Sequence, residues 1–219
     1  MDFTALWLTL QIAGTSTGLS ILVGIPVAFA LAKFHFPGRN IVSSLILVPM
    51  LLPPSVLGFY LLQLVGRNSI IGSSLESLFS FTLVFHWSGA VLAAFITSTP
   101  FLIRTAQVGF ESVNKRYEDA ARTLGKSEFA IFHTITLPLA WKMLLAGVAL
   151  ALARAMGEFG ATLMVAGNIP GKTQTMSIAI YDAVQTNRLH DAQVLSLALA
   201  FVTIGILVAI STFDRSSKS

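Results

Sequence analysis

The chain has 219 residues, of which 54% are hydrophobic and only 11% are charged, whereas an ordinary soluble domain has about 25% charged residues. Fourteen basic and ten acidic side chains are too few to cover a soluble domain of this size, so the composition predicts an integral membrane protein. The excess of four positive charges is accounted for by membrane topology, and no nucleic-acid partner is expected. The absence of cysteine excludes disulfides, thiol catalysis and cysteine metal sites.

Five apolar stretches are long enough to cross a bilayer, since a membrane helix needs about 20 mostly apolar residues. They cover roughly 3–32, 41–65, 81–103, 139–165 and 192–213. We therefore predict an all-α integral membrane protein with about five transmembrane helices, in which residues 1–219 form a single domain. The N-terminus is not predicted to be a cleaved signal peptide, because its only early charge is Asp2 and a signal peptide begins with a basic region.

Basic residues are distributed unevenly between the two ends of these stretches. Three lie on one side of the membrane, Arg67, Lys172 and Arg188, and Arg154 lies inside the fourth stretch. The other side carries ten, which are Lys33, Arg39, Arg104, Lys115, Arg116, Arg122, Lys126, Lys142, Arg215 and Lys218. Because basic residues concentrate on the cytoplasmic side, we predict a multi-pass protein of the plasma membrane with its N-terminus outside and its C-terminus in the cytoplasm.

Proline and small residues interrupt the stretches. The second carries Pro49, Pro53 and Pro54, and the third carries Pro100. Each proline removes a backbone donor, and lipid tolerates such breaks only where protein, hydroxyl groups or water satisfy the freed groups. A packed helix bundle and a water-lined path are both compatible with this pattern.

The first stretch also contains a small-xxx-small motif, which is Gly14 and Gly18. This motif favours close packing between helices, although on its own it is a weak signal. The third stretch contains His86, for which a packed position inside the span is the simplest interpretation.

A polar loop of unusual length, about 111–138, joins the third and fourth stretches on the predicted cytoplasmic side. Loops this long are uncommon unless they have a function. Residues 117–124 are predicted to form a short helix, with Ala120, Ala121 and Leu124 close to one face. Two adjacent alanines would leave that face shallow, so that another protein could approach closely.

The next residues have the pattern of a helix end followed by a second helix. Gly125 fits a helix C-terminal position, and Ser127 is a plausible N-cap with Glu128 in the first turn that follows. Phe129 and Phe132 supply apolar anchors. Leu137-Pro138 then opens the fourth stretch, where a proline near the first helical position is favourable.

The loop resembles the EAA signature of permease subunits of bacterial ABC importers. The matching residues are Asp119, Ala120, Ala121, Gly125, Ile135, Leu137 and Pro138, at the spacing of Glu-Ala-Ala, three residues, Gly, nine residues, Ile-x-Leu-Pro. The one departure is Asp119 in place of glutamate, with Glu118 directly before it. The resemblance implies that this is a coupling loop, which docks on a separate dimer of ATPase subunits.

Glu118 is included with the seven signature residues in the predicted docking site. An alternative is an interfacial helix lying on the bilayer, with Lys115, Arg116, Arg122 and Lys126 on anionic lipid. That alternative accounts for the basic residues but not for the glycine and Leu-Pro spacing.

A second segment, 154–175, resembles molybdate permease subunits, and the resemblance extends along the whole chain. It implies uptake of molybdate into a bacterial cell across the inner membrane, with a separate extracytoplasmic protein that captures the oxyanion. Sulfate/thiosulfate permeases share the Gly157-Glu158-Phe159-Gly160 core but usually have a longer N-terminal part. Permeases for tungstate, which is chemically close to molybdate, are not separated by the sequence.

Arg154 and Glu158 are four residues apart and therefore share a face of the predicted fourth span. Ionisable groups at membrane depth are unfavourable and usually face protein or water. The pair is a candidate part of the translocation path, where Arg154 would offset the charge of a passing oxyanion, or else an ion pair that only fixes packing. Gly157 and Gly160 are candidate hinge or packing positions at the same gate.

The segment facing outward, 166–191, contains a turn at 167–171 and a short apolar piece at 176–181. By resemblance this segment forms the outer gate and part of the dock for the binding protein. A simple surface loop is the alternative.

Several chemistries have no signature in the chain. It has no G-x-x-x-x-G-K-[ST] phosphate loop, so ATP must be bound by the partner subunit, and no catalytic residue, metal site or cofactor is predicted. A gradient-driven secondary transporter would usually need internal repeats or a buried acidic relay, and a membrane enzyme would need a polar catalytic cluster. Because five helices enclose little space, and most homo-oligomers have two-fold symmetry, we expect two copies to form the pore.

Overall fold

The computed structural model describes residues 4–216, apart from the side chains at positions 75, 79, 211 and 213–216. All regular secondary structure in that range is helical, which confirms the predicted fold class. The elements are α1 (Thr4–Lys33), α2 (Arg39–Leu51), α3 (Pro54–Val65), α4 (Ile70–Phe79), α5 (Trp87–Glu111), α6 (Lys115–Thr123), α7 (Glu128–Ile131), a π-helical turn (Phe132–Thr136), α8 (Leu137–Met156), α9 (Gly160–Ala166), α10 (Met176–Gln185) and α11 (Leu189–Ser216).

Four of these helices are long and apolar enough to cross a membrane, counted over the described residues. They are α1, α5, the continuous helix Glu128–Met156 and α11 as far as Ile210. The pair α2–α3 makes a fifth if it is taken as one broken span. The number agrees with the sequence prediction of about five.

The predicted second span, 41–65, is two helices that meet at an angle of 109°. Leu52 ends α2 in an extended conformation, with φ −73° and ψ 140°, and Pro53 is also extended. Both residues precede a proline, whose ring disfavours helical backbone in the residue before it. Pro54 then occupies the first position of α3, where its missing N–H has no helical partner to lose.

Two further predicted spans are displaced along the chain. The helix covering 81–103 runs from Trp87 to Glu111, and His86 lies before it as the N-cap, with Nδ1 accepting from the Ser88 amide. The interpretation of His86 as packed inside the span is therefore wrong. The helix predicted over 139–165 begins at Glu128 and ends at Met156, and residues 160–166 form the separate helix α9.

Helices α1, α5 and α8 pack closely around small and hydroxyl residues. The Ser20 and Thr99 hydroxyls are 2.7 Å apart between α1 and α5. A Cβ on Gly24 would lie 2.8 Å from Leu102 Cδ2. Lipid is as apolar as leucine, so van der Waals packing and interhelical hydrogen bonds, rather than burial from water, hold such helices together.

The small-xxx-small motif of α1 does not take part in this packing. In the described part of the chain, no atom outside the adjacent backbone of α1 and the neighbouring residues lies within 4 Å of a Cβ built on Gly14 or Gly18. Ser16 and Ser20, on the opposite side of α1, are buried instead. The prediction of close packing at Gly14 and Gly18 is therefore wrong within one chain, and α1 presents a bare backbone face outward.

Candidate coupling loop and translocation path

The first helix of the coupling loop, α6, is defined by caps at both ends. Asn114 accepts a hydrogen bond from the Arg116 amide at 3.0 Å. At the other end Gly125 has φ +78°, its amide donates to Arg122 O at 2.9 Å, and the Lys126 amide donates to Ala121 O at 3.1 Å. This is a Schellman end, in which glycine is favoured because it has no Cβ to strain a left-handed backbone.

The second helix begins as predicted, with Ser127 as its N-cap accepting from the Ala130 amide at 3.3 Å. Arg122 joins the two helices, because its guanidinium lies 2.7 Å from Asp119 and 2.6 Å from Glu128. The hydrogen bond from Arg122 lowers the pKa of the Glu128 carboxyl, and the same bond raises the pKa of Arg122. These exposed pairs fix the loop's shape more than its stability.

The faces of α6 differ from the prediction. Ala121 is buried together with Glu118, whereas Ala120 is exposed and Leu124 is 81% exposed. The expected shared face of the two alanines and Leu124 is therefore wrong. The spacing of apolar residues in a nine-residue helix could not show which side faces the protein. That side is set by the packing partners of the helix, which belong to α1 and the π-helical turn.

Three large apolar side chains stand exposed on the loop. Tyr117 is 58% exposed, Leu124 is 81% exposed and Phe129 is 76% exposed. Phe129 was expected as an apolar anchor and Leu124 as part of an approachable face, whereas Tyr117 was not singled out. Phe132, the other expected anchor, packs inward against Phe29 with ring centroids 4.9 Å apart.

The last part of the EAA-like signature lies away from the loop's apex. Ile135 is in the π-helical turn, and Leu137 and Pro138 form the first turn of α8. Leu137 packs against the core of α1, α5 and α8, whereas Pro138 is exposed. The signature thus divides into an apex around Gly125 and a root that enters the membrane helix.

Glu118 links these two parts. Its side chain is only 5% exposed, and Oε1 lies 2.8 Å from Lys33 Nζ and accepts a hydrogen bond from the Thr136 hydroxyl at 2.7 Å. The sequence placed Glu118 beside the signature but gave no sign of Lys33 or Thr136 as partners.

The second candidate region is the broken-helix junction, which we define as the α2–α3 bend together with the break between α8 and α9. Glu158 lies in that break, beyond the last residue of α8, and is buried. Its Oε1 accepts from the Ala161 amide at 2.9 Å. Its Oε2 is 2.7 Å from Arg154 Nη1, an ionic contact with no well-aligned hydrogen bond among the described residues.

The two breaks are in direct contact. A Cβ on Gly160 would lie 2.9 Å from Pro54 Cβ, and a Cβ on Gly58 would lie 2.8 Å from Ala161 Cα. Gly157 is different, because the nearest atom to its Cβ would be Ala153 O at 3.7 Å. Glycine is thus needed for close approach at two of these positions and not at the third.

The segment at 166–191 is ordered. Residues 176–181, the predicted apolar piece, are the first part of α10, and the Met176 amide donates to Thr9 Oγ1 of α1 at 2.8 Å. Thr173 is buried and its hydroxyl bridges Ile169 N and Gly167 O. Within the described residues no group of three or more metal-ligating side chains occurs.

The architecture is that of a multi-pass helical membrane protein with two broken helices and a capped polar loop. Comparison with known sequences assigns the family. Residues 20–215 match the family of the binding-protein-dependent transport system inner membrane component.

Relatives agree with this match. The molybdenum transport system permease protein ModB of Escherichia coli is 38% identical over 210 residues, which cover 95% of this chain and 92% of that protein. The sulfate transport system permease protein CysW of Synechococcus elongatus is 38% identical over 204 residues, which cover 91% of this chain and 71% of that protein.

Solved structures have the same fold. A bacterial ABC transporter that imports the acidic polysaccharide alginate has a TM-score of 0.75 at 15% identity, covering 97% of this chain and 79% of that chain. The inward-facing MetNI methionine ABC transporter has a TM-score of 0.65 at 18% identity, covering 94% of each chain.

The chain belongs to the family of binding-protein-dependent transport system inner membrane components. It is a multi-pass inner-membrane protein and the non-catalytic transmembrane subunit of an ABC transporter, and it carries no cofactor. The predicted family is confirmed.

Proposed function

We propose that this chain is the permease subunit of an ABC importer that moves molybdate into the cytoplasm. The observation that carries the proposal is the match to the molybdenum permease of Escherichia coli, which extends over 92% of that protein. The sulfate permease of Synechococcus elongatus is equally identical, but this chain covers only 71% of it. Sulfate/thiosulfate is therefore the second candidate, and tungstate shares the chemistry of molybdate.

We infer that residues 1–219 form one transmembrane domain, with the N-terminus outside and the coupling loop in the cytoplasm. The distribution of basic residues supports this orientation. The long helices α1, α5 and α8 form one packed unit around a shared apolar cluster. Two copies facing each other would enclose the path between them.

The coupling loop is proposed to dock on the ATPase dimer. Its exposed Tyr117, Leu124 and Phe129 provide apolar contacts, and aromatic and apolar anchors of this kind dominate the binding energy of interfaces. The caps and the Arg122 ion pairs make the apex a rigid body. Such a rigid body can transmit the movement of the ATPase subunits.

The broken-helix junction is proposed to be the gate. Arg154 is 28% exposed while Glu158 is buried, so the guanidinium can meet an oxyanion and the carboxylate cannot. Glu158 offsets part of the positive charge on Arg154. The weaker net charge favours brief passage of an oxyanion over its tight binding. Tight capture is assigned to the extracytoplasmic oxyanion-binding protein, which would dock on the segment at 166–191.

The test is uptake of molybdate into proteoliposomes that contain this chain, its ATPase and its binding protein. We expect uptake to require ATP, to be inhibited by tungstate, and to be inhibited poorly by sulfate. Strong competition by sulfate would assign the chain to sulfate transport. Uptake driven by an ion gradient without the ATPase would contradict the proposed function.

A further inference from the structure

A buried carboxylate is unusual in a polar loop of this kind. Asp119, Glu128 and Glu118 are the acids of the loop's two short helices, and the first two are exposed and each pairs with Arg122. Glu118 alone points inward and is 4% exposed as a residue. Burying a charge is unfavourable unless it is paired and hydrogen-bonded, so the contacts of Glu118 define what this position does.

The partners of Glu118 belong to two other elements. Lys33 is the last residue of α1, and its Nζ lies 2.8 Å from Glu118 Oε1. Thr136 is the last residue of the π-helical turn that leads into α8, is 1% exposed, and donates its hydroxyl to the same oxygen at 2.7 Å. One carboxylate oxygen therefore joins α6, α1 and the start of α8.

An aromatic cluster accompanies this polar contact. Phe29 of α1 is 4.9 Å from Phe132 of the π-helical turn and 5.4 Å from Phe110 of α5, measured between ring centroids. The cluster packs α1 against α5 and the π-helical turn, while Glu118 contacts the end of α1 from α6. Lys33–Glu118 is also the only ion pair that joins the coupling loop to α1 within the described residues.

We propose that Glu118 is a positioning residue that transmits the movement of the coupling loop to α1. The inference rests on the proposed docking role of the loop and adds the route by which its motion reaches the membrane helices. The covalent route from the loop leads to α5 on one side and α8 on the other. Helix α1 has no such covalent connection and meets the loop through the Phe29–Phe132 ring contact and the Lys33–Glu118 pair. Of these two contacts, the pair is the one that ties α1 to α6.

The first experiment separates transport from ATP hydrolysis in the reconstituted complex. Glu118→Gln keeps an acceptor for Thr136 but removes the charge that holds Lys33. We expect the molybdate moved per ATP hydrolysed to fall roughly tenfold, within the usual range of coupling between sites, while hydrolysis stays within about twofold. Glu111→Gln is the matched control, because it removes a comparable ion pair with Arg39 of α2 and leaves α1 untouched, so it should leave the ratio unchanged.

The second variant approaches the pair from α1. Lys33→Met removes the charge and keeps most of the side-chain length, and it should lower the ratio as Glu118→Gln does. The double variant should be no worse than either single variant, because both remove the same contact. Equal loss of uptake and hydrolysis, an unchanged ratio, or failure of both variants to assemble with the ATPase would overturn the proposal in favour of a purely structural role.

The third measurement uses the absence of cysteine from the chain. A spin label at Arg116→Cys reports the distance between the two coupling loops of the dimer, and one at His35→Cys reports the distance between the two α1 ends. We expect ATP trapping to change both distances in the otherwise wild-type chain. In Glu118→Gln, the Arg116 label should still respond and the His35 label should lose at least about half of its change.

The outcomes are distinct. A full response of the His35 label in Glu118→Gln would overturn the role of Glu118 and leave the docking role intact. No response of the Arg116 label in the otherwise wild-type chain would overturn the docking role, and the proposed transmission route with it.

Discussion

The coupling loop and the broken-helix junction are held together by opposite means. The loop is shaped by caps and ion pairs around Arg122, and it leaves Leu124 and Phe129 exposed. The junction is shaped by the approach of backbones at Gly58 and Gly160, where one added methyl group would meet another chain segment. A surface built on side-chain contacts tolerates small changes of volume, whereas a backbone contact does not.

The largest effect is expected for Gly125→Asp. The positive φ of Gly125 disfavours most side chains, but aspartate and asparagine tolerate it, so the main change is a new negative charge at the apex of the proposed docking surface. Nothing lies within 4 Å of its Cβ position among the described residues, so folding and membrane insertion should be retained. We expect loss of co-purification with the ATPase and loss of ATP-driven uptake.

The control for this change is Gly125→Asn, since asparagine tolerates the left-handed conformation and carries no charge. It should retain binding to the ATPase. Normal uptake by Gly125→Asp would show that the apex is not the docking surface.

The next effect is expected for Gly58→Ala in the junction. Its Cβ would lie 2.8 Å from the backbone at Ala161, so α3 and α9 must move apart, and overpacking of this kind costs about 1–3 kcal/mol. Thermal unfolding of the purified chain in detergent measures the loss.

Gly157→Ala is the matched control, because its nearest neighbour would be 3.7 Å away. It should change the free energy of unfolding by less than about 0.5 kcal/mol. Equal destabilisation by both substitutions would show that the close contact of the two breaks is not what makes Gly58 sensitive.

A smaller effect is expected for Glu158→Gln. The amide can still accept from Ala161, but the ionic contact with Arg154 is lost. We expect slower uptake together with a modest decrease in the thermal midpoint. Arg154→Lys, which keeps the charge, should be milder, and wild-type uptake by Glu158→Gln would leave the pair with a packing role alone.

The smallest effect concerns pH. The pKa of Glu128 in the folded chain is below its ordinary value of 4.5, so the Arg122–Glu128 pair stabilises the loop fully above that value and is lost as the pH falls through the lowered pKa. Between pH 6 and 8 the pair should not titrate. The ratio of uptake by Glu128→Gln to uptake by the wild type should therefore be the same at both pH values.

The sequence could predict features that depend on residues close together in the chain, but not those that depend on contacts between distant segments. The Gly125 end of α6 and the Ser127 cap depend on residues close in the chain, and both were predicted. At 157–159 the sequence predicted only candidate hinge positions, Gly157 and Gly160, inside a continuous span. The end of the helix there was not predicted, because the segment contains no proline and its partner is the distant bend at Pro53-Pro54. The Lys33–Glu118 contact also joins distant segments, and no local pattern reports it.

The π-helical turn and the face of α6 were missed for a related reason. A nine-residue helix offers only two turns of periodicity, so the inward position of Ala121 and the outward position of Leu124 were set by α1 and the turn. His86 was misplaced because an apolar stretch was read as continuous helix from residue 81, whereas the structure begins α5 only after the His86 cap.

The exposed apolar side chains of the coupling loop also bear on assembly inside the cell. A subunit made without its ATPase would present Tyr117, Leu124 and Phe129 to water, and apolar surface of this kind promotes aggregation when no partner covers it. A permease without its ATPase would thus be prone to aggregate through the same residues that are proposed to dock on the ATPase. Balanced synthesis of the two subunits would follow from the chemistry of one short loop.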